Sequence, residues 1–121
     1  MAVIVLVEDT PANLALATKL LTAAGHEVVA ATTGTDGVRL VAERSPDLVL
    51  MDLGLPDIDG REALGAIRAA EAGGAPHRVI AFTAHAMVGD RERALAAGFD
   101  GYLSKPIEFA TFAASVEALL P

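Results

Sequence analysis

The chain has 121 residues, 53% of them hydrophobic, which predicts one domain with a sizeable core spanning residues 1–121. Its net charge of −7 argues against nucleic acid or an anionic membrane surface as a direct partner. The chain has no cysteine, no basic leader before its first apolar run and no apolar stretch of bilayer length, so we expect a cytoplasmic domain without disulfides or thiolate metal sites.

Short runs of strand-forming residues recur along the chain. They are Val3–Val7, Glu27–Ala31, Leu48–Met51, Val79–Phe82 and Gly101–Leu103. Three of these runs are continuously apolar, which is typical of strands buried on both faces.

The segments after each run carry apolar residues at helical spacing. The markers are Leu14–Ala24 before Gly25, Val38–Ala42 before Ser45–Pro46, Ala63–Ile67 between Asp59–Gly60 and Gly73–Gly74, Met87–Leu95 before Gly98, and a final stripe of Phe109, Phe112, Ala113, Val116 and Leu120. Parallel neighbours need right-handed crossovers of about this length. The alternation therefore predicts an α/β fold, a doubly wound five-stranded parallel sheet with five helices.

Four of the strand-like runs end on residues suited to handling a phosphoryl group. Glu8 and Asp9 follow the first run, Asp52 the third, Thr83 the fourth and Lys105 the fifth. The carboxyl ends of parallel strands share one edge of a sheet, where open α/β folds place their ligand crevice. The sequence therefore predicts one acidic pocket with one lysine.

Three carboxylates in one crevice repel one another unless a cation compensates them. Oxygen ligands without cysteine suit Mg²⁺, which uses one or two carboxylates and keeps water molecules. A lysine at 105 and a hydroxyl at 83 could contact an incoming phosphoryl oxygen. Asp52 is then a credible nucleophile, because phosphoryl transfer depends mostly on positioning and charge neutralisation.

Four separated motifs carry a resemblance to a known family. The segments VLVEDTPAN, MDLGLPDIDG, AFTAHAM and GYLSKPI are similar, in order and spacing, to those of response regulator receiver domains of the CheY-like superfamily. The segments EDTPAN and TAHAM most resemble those of DivK-type single-domain regulators and of the receivers of hybrid histidine kinases. The resemblance implies a flavodoxin-like sheet with strand order 2-1-3-4-5.

The resemblance also implies the chemistry of the pocket. Asp52 would accept a phosphoryl group from a phosphohistidine of a histidine kinase or histidine phosphotransfer protein. Mg²⁺ would be held by Glu8, Asp9, Asp52 and the backbone carbonyl of Gly54. Thr83 and Lys105 would contact the phosphoryl oxygens, and the Lys105–Pro106 peptide bond would be cis. Self-phosphorylation and self-dephosphorylation would be the only chemistry, so the chain would not be an enzyme in the ordinary sense.

A switching mechanism follows from the same resemblance. Phosphorylation adds about −1.5 to −2 charges, so Thr83 would move toward the new group and Tyr102 would swing inward behind it. The face of the fourth helix, last strand and last helix, which includes Arg91, Tyr102 and Ile107, would then present a changed surface to a downstream protein. We further expect the first helix, near Asn13 and Leu14, to dock the phosphodonor.

Two other functions stay open on the sequence alone. One is a pseudo-receiver that acts as a constitutive interaction module, against which the intact set Asp9, Asp52, Thr83 and Lys105 speaks. The other is a Mg²⁺-dependent phosphohydrolase, which would need a second acid two residues beyond Asp52, where Gly54 stands.

The three histidines have no second ligand at a metal-site spacing. His26 and His77 fall in turns, and we expect both to face solvent. His85, two residues after Thr83, would overlook the pocket.

Overall fold

Strands and helices alternate through residues 2–71, 74–84 and 89–121, the part of the chain that this computed structural model describes. The strands are β1 (Val3–Val7), β2 (Glu27–Ala31), β3 (Leu48–Met51), β4 (Val79–Thr83) and β5 (Gly101–Ser104). The helices are α1 (Pro11–Ala23), α2 (Gly34–Arg44), α3 (Gly60–Ala70), α4 (Asp90–Ala97) and α5 (Phe112–Glu117).

The five strands form one parallel sheet in the order β2-β1-β3-β4-β5, which confirms the predicted architecture. Val5 pairs with Val29 on one side and with Val49 on the other, so β1 lies between β2 and β3. The direction of winding reverses at this point, and the crevice of an open α/β sheet lies beyond the carboxyl ends of the strands there.

Two hydrophobic clusters cover the two faces of the sheet. One face packs Val5, Met51 and Ala81 against α2, α3 and α4. The other packs Leu6, Leu50 and Phe82 against α1 and α5. Alternate residues of each central strand enter opposite clusters, which is why these strands are apolar throughout.

Local signals fix most helix ends. Gly25 and Gly98 follow α1 and α4 at φ values of 95° and 109°, a left-handed region that glycine enters at little cost. The side chain of Asp59 accepts a hydrogen bond from the backbone N–H of Arg61 at 2.7 Å and caps the start of α3. These three ends agree with the sequence.

The expected stripe on the last helix is wrong at Phe109. The helix begins only at Phe112, because the preceding residues form a turn closed by a hydrogen bond of 3.2 Å from the N–H of Thr111 to the carbonyl of Glu108, and Thr111 has a non-helical backbone with φ −122°. Phe109 therefore lies outside the helical period and is 72% exposed, whereas Phe112 and Val116 are buried.

At two other helix boundaries the sequence expectation extends into residues that the structure does not describe. Helix α3 ends at Ala70, and the next residue, Glu71, accepts hydrogen bonds with its carboxylate from Arg68 and from the N–H of His77; Gly73 of the expected end Gly73–Gly74 lies outside the described residues. Helix α4 begins at Asp90, and the predicted marker Met87 lies outside the described residues, as does His85.

The expectation that His26 and His77 face solvent is wrong for His26 and only partly right for His77. His26 is 7% exposed, and its Nδ1 accepts a hydrogen bond from the N–H of Ala2 at 3.1 Å. The ring proton therefore lies on Nε2, which donates to Glu117 on α5 at 3.1 Å. His77 is half-buried, with its Nδ1 3.3 Å from the carbonyl of Pro46. Both rings meet chain segments distant in sequence, which a turn signal does not reveal.

We expect His26→Ala to lower the free energy of unfolding by about 2 kcal/mol, because it leaves the buried N–H of Ala2 without an acceptor. Glu117→Ala should cost under about 1 kcal/mol, since that carboxylate is 47% exposed. Urea denaturation followed by circular dichroism measures both. Equal losses would mean that the contact with Glu117, and not the buried hydrogen bond, is the stabilising one.

Candidate functional site

The carboxyl edge of the sheet brings the predicted residues together. Glu8 and Asp9 follow β1, Asp52 follows β3, and Lys105 follows β5. Thr83 ends β4, and its carbonyl accepts a hydrogen bond from the N–H of Lys105 at 2.8 Å. Strand β1 lies next to β3, and β4 lies between β3 and β5. This order explains why residues as distant in sequence as Glu8 and Lys105, 97 positions apart, meet in one crevice.

Asp52 lies at the centre of this crevice and is 6% exposed. Its Oδ1 accepts a hydrogen bond from the N–H of Gly54 at 3.0 Å, and its Oδ2 lies 3.1 Å from Lys105 Nζ. Its own N–H donates to the carbonyl of Val7 at 3.0 Å, which continues the pairing of β3 with β1. The carboxylate is thus held from both sides.

Glu8 is completely buried. Its Oε2 accepts a hydrogen bond from the N–H of Thr10 at 3.0 Å. Its Oε1 pairs with the Lys105 ammonium, the partner of this oxygen among the described residues. Burial raises the pKa of Glu8 above its ordinary value, and the hydrogen bonds from Lys105 and Thr10 oppose the rise only in part.

Lys105 contacts both buried carboxylates with a side chain that is 9% exposed. Its Nζ also lies 5.0 Å from the centre of the Phe82 ring, within reach of a cation–π contact. Burial favours the neutral amine, but the hydrogen bond to Glu8 and the charge of Asp52 outweigh it and raise the pKa of Lys105. The lysine is therefore charged at neutral pH. The Lys105–Pro106 peptide bond is cis.

The donor set fits a hard divalent cation. Glu8, Asp9 and Asp52 each offer a carboxylate oxygen, and these three oxygens lie within 4.8 Å of one another. Among the described residues, the Lys105 ammonium pairs with two of these three carboxylates, Glu8 and Asp52, so the cluster keeps excess negative charge. All-oxygen ligands in this number are those that Mg²⁺ takes together with water.

The loop after β3 (residues 52–59, the β3–α3 loop) forms one wall of the crevice. At Gly54 a Cβ atom would meet only Asp52 Oδ1 at 4.0 Å, so this wall is open. At Gly60, by contrast, a Cβ atom would lie 2.6 Å from the carbonyl oxygen of Asp52. The absence of a side chain at Gly60 lets α3 start against the strand end that carries the central carboxylate.

Tyr102 lines two clefts. A cleft of about 330 Å³ extends from Tyr102 to Thr83 and Gly54. A second, of about 270 Å³, lies between Tyr102, Arg91 and Phe112. Burial, followed by the nearby charge of Asp90, raises the pKa of the Tyr102 phenol, so it is protonated at neutral pH. The side chain thus has open space on the crevice side and on the outer side.

The sequence analysis missed two contributors to the site. Phe82 precedes Thr83 on β4 and lies beneath the lysine ammonium, and nothing in an apolar strand distinguishes it from an ordinary core residue. Asp57 ties the β3–α3 loop to α2 through hydrogen bonds to Gly34 and Thr35. The Pro-Asp at 56–57 signals a turn, but it does not indicate which backbone groups the carboxylate meets.

Comparison with known proteins agrees with this geometry. The family model for the response regulator receiver domain matches residues 4–117. The sensor protein GacS of Pseudomonas syringae pv. syringae is 47% identical over 103 residues, which are 84% of this chain and 11% of GacS. The polar-differentiation response regulator DivK of Brucella ovis is 36% identical over 118 residues, which are 97% of this chain and 94% of DivK. The chain therefore spans about a tenth of one relative and nearly all of the other.

A solved structure supports the same assignment. The two-component response regulator of the LuxR family from Aurantimonas sp. SI85-9A1 matches with a TM-score of 0.83 and 34% identity, covering 98% of this chain and 84% of that one. Among the residues that the structure describes, no helix is both long and apolar enough to span a membrane. The resemblance that the four motifs carry is confirmed, and the chain belongs to the response regulator receiver domains of two-component systems, a family of signalling switches.

Proposed function

We propose that this chain is a phosphorelay receiver in which Asp52 accepts a phosphoryl group from a histidine kinase or a histidine phosphotransfer protein. The position of Asp52 is the observation that carries the proposal. Its carboxylate ends a buried strand at the topological switch point, with one oxygen held by the Gly54 amide and the other 3.1 Å from Lys105 Nζ. A carboxylate so placed has a defined orientation and is reached from the crevice.

Transfer of a phosphoryl group from a phosphohistidine to Asp52 needs no further reactant. A carboxylate oxygen of Asp52 attacks phosphorus, an O–P bond forms and the N–P bond of the donor breaks. The histidine nitrogen leaves with the bonding electron pair and takes a proton from solvent. In a separate dephosphorylation step, water attacks the phosphorus of the acyl phosphate, the O–P bond to Asp52 breaks, and the carboxylate is regenerated with release of inorganic phosphate.

The crevice residues supply the charge balance for this transfer. Glu8, Asp9, Asp52 and the carbonyl of Gly54 would hold Mg²⁺. When bound, the ion neutralises charge on the phosphoryl oxygens. Lys105 would lose one carboxylate partner when Asp52 is phosphorylated and could then pair with a phosphoryl oxygen, to which the Thr83 hydroxyl would donate a hydrogen bond.

The open clefts around Tyr102 support the switching step. A shift of Thr83 toward the phosphoryl group would enlarge the cleft of about 330 Å³ on the crevice side of Tyr102. The ring would then enter it, and the face formed by α4, β5 and α5 would change for a downstream protein. Arg91 of α4 and Ile107, which lies between β5 and α5, would be part of the surface that changes. The response is a shift between two existing states, and its extent is set by the differential affinity of the phosphoryl group for each.

The surface of α1 supports docking of the phosphodonor beside the crevice. An apolar groove of about 710 Å³ runs along this helix and is lined by Pro11, Leu14, Ala15 and Thr18, among others. Its start adjoins Thr10, directly after Asp9. Asn13 lies on the same helix turn as Pro11 and would contact the donor near its phosphohistidine.

Intact-mass analysis after incubation with acetyl phosphate tests the proposal. We expect one phosphoryl adduct on the parent chain in the presence of Mg²⁺, and no adduct on Asp52→Asn or on the parent chain in EDTA. The Asn variant keeps the shape of the side chain but lacks the nucleophilic carboxylate.

A parent chain that forms no adduct and also fails to bind beryllofluoride would favour a constitutive interaction module. Sustained release of phosphate from a separate phosphoester would favour the phosphohydrolase. The position two residues beyond Asp52 is a glycine, so no general acid stands there for such turnover.

A further inference from the structure

The Asp57 carboxylate connects two parts of the fold that flank the acidic crevice. Its Oδ1 accepts a hydrogen bond from the N–H of Gly34 at 2.8 Å. Its Oδ2 accepts from the N–H of Thr35 at 2.9 Å and from the Thr35 hydroxyl at 2.6 Å. The hydrogen bonds from Thr35 lower the pKa of Asp57, so the carboxylate is ionised at neutral pH. We call this set of three hydrogen bonds the Asp57 clamp.

The clamp holds the loop that carries Gly54. The β3–α3 loop is fixed at its ends, because the N–H of Gly54 donates to the Asp52 carboxylate and the N–H of Gly60 donates to the carbonyl of Leu53 at 3.2 Å. Between these two contacts the Asp57 clamp is a hydrogen-bonded tie from the loop to α2, and the side chains of Leu55 and Ile58 add apolar contacts at Gly34. The clamp therefore helps to set the position of the backbone around Gly54 relative to α2.

Helix α2 in turn is fixed against β1, the strand that leads into Glu8 and Asp9. A Cβ atom at Gly37 of α2 would lie 2.6 Å from Cγ2 of Val7, so the helix packs against the residue directly before Glu8. Nearer the clamp, a Cβ atom at Gly34 would lie 2.5 Å from Cγ1 of Ile58. The Asp57 clamp thus connects the β3–α3 loop, on one side of the acidic cluster, to α2. Helix α2 in turn packs on β1, which leads into the other side of the cluster.

We propose that Asp57 is a positioning residue for the cation site, because the clamp sets the distance between the Gly54 carbonyl and the carboxylates after β1. The inference rests on the proposed function, in which Gly54 is a backbone ligand. Preorganised ligands bind more tightly, since the cost of ordering them is met during folding and not during binding. Loss of the clamp should therefore weaken cation binding although no ligand atom is removed.

If Asp57 only capped the start of α2, its removal would not weaken cation binding. The chain offers a control variant for this alternative. Thr33 is the N-cap of α2, and its hydroxyl accepts a hydrogen bond from the N–H of Asp36 at 3.2 Å. Thr33→Ala removes a capping contact from the same helix end and leaves the clamp intact. Weaker cation binding together with faster exchange of the loop amides in Asp57→Ala, neither of them seen in Thr33→Ala, would place the effect in the loop and not in α2 alone.

Calorimetric titration with Mg²⁺ alone tests the inference on the parent chain, Asp57→Ala, Asp57→Asn and Thr33→Ala. We expect the dissociation constant to rise about tenfold in Asp57→Ala, the equivalent of newly ordering about one backbone residue on binding. Asp57→Asn keeps one acceptor oxygen and should recover part of the affinity. Thr33→Ala should stay within about twofold of the parent. Amide hydrogen exchange should be faster at residues 53–55 in Asp57→Ala only.

Equal Mg²⁺ affinity and equal loop exchange in Asp57→Ala and Thr33→Ala would overturn the inference. If Asp57→Ala does not fold, Thr35→Val removes only the hydroxyl contact and must still show weaker Mg²⁺ binding. The parent chain separates the two proposals. A parent that neither binds Mg²⁺ nor forms a phosphoryl adduct overturns the proposed function together with the inference. A parent that does both, with no difference among the variants, overturns the inference alone.

Discussion

Lys105→Met should lower the free energy of unfolding by about 3–5 kcal/mol at pH 8 in the absence of divalent ions. The substitution removes the cation that contacts both Asp52 and the fully buried Glu8. An unpaired buried carboxylate costs far more than an exposed one, because the surrounding dielectric is low. Chemical denaturation in EDTA measures the loss.

The size of this loss should depend on pH. The pKa of Glu8 is already raised by burial, and removing the hydrogen bond from Lys105 raises it further. A carboxyl group with a raised pKa in the folded state favours the folded state at low pH, and this contribution disappears as pH rises through that pKa. The free energy of unfolding of Lys105→Met should therefore approach that of the parent near pH 5 and fall further below it toward pH 8. The pKa of Lys105 is raised, so the parent lysine stays charged throughout this range.

The other lysine of the chain provides the control. Lys19 lies exposed on α1, and Lys19→Met should change stability by less than about 0.5 kcal/mol at every pH. Mg²⁺ should narrow the difference between Lys105→Met and the parent, because the ion stabilises the folded state and should bind more tightly where the ammonium no longer neutralises Glu8 and Asp52. A loss in Lys105→Met that is independent of both pH and Mg²⁺ would show that the packing of the side chain on Phe82, and not its charge, matters.

The sequence predicts the strands well because their burial on both faces leaves a simple pattern. The first three strands begin and end where the apolar runs do. The last two extend by one residue each, to Thr83 and Ser104, because parallel pairing continues into these polar positions. The carboxyl ends of parallel strands lie at one edge of the sheet. A sequence that predicts the strands therefore also predicts that the side chains following them meet at that edge.

The contacts of the turns could not be predicted in the same way. His26 and Asp57 both lie in segments with turn signals, yet each bonds to chain segments more than 20 residues away. Phe109 fits a helical stripe by spacing but precedes the helix. A local sequence pattern indicates the periodicity of a helix or strand. The contacts of these three residues depend instead on chain segments that become neighbours only in the folded protein.

The same limit applies to the glycines, which look alike in the sequence and differ in what surrounds them. Gly60 and Gly65 both lie in α3. At Gly60 a Cβ atom would lie 2.6 Å from the carbonyl oxygen of Asp52 and 2.8 Å from the Cα of Leu53, both backbone atoms that cannot rotate away. At Gly65 a Cβ atom would meet nothing within 4 Å.

Opposite effects are therefore expected from one added methyl group. Gly60→Ala should destabilise the chain by about 3 kcal/mol, at the upper end for overpacking, because the backbone around Asp52 must shift. Gly65→Ala should stabilise it by about 0.5–1 kcal/mol, the usual gain for alanine in an exposed helix. Thermal or urea denaturation of the two variants beside the parent measures both signs.

The effect of Gly60→Ala should also extend to the chemistry of the crevice. A shift of the Asp52 carbonyl moves the start of the β3–α3 loop, so the rate of adduct formation with acetyl phosphate should fall in Gly60→Ala and stay at the parent value in Gly65→Ala. A Gly60→Ala chain as stable as the parent would mean that α3 can move away from β3 at no cost. The close approach at Gly60 would then not be what holds the central carboxylate in place.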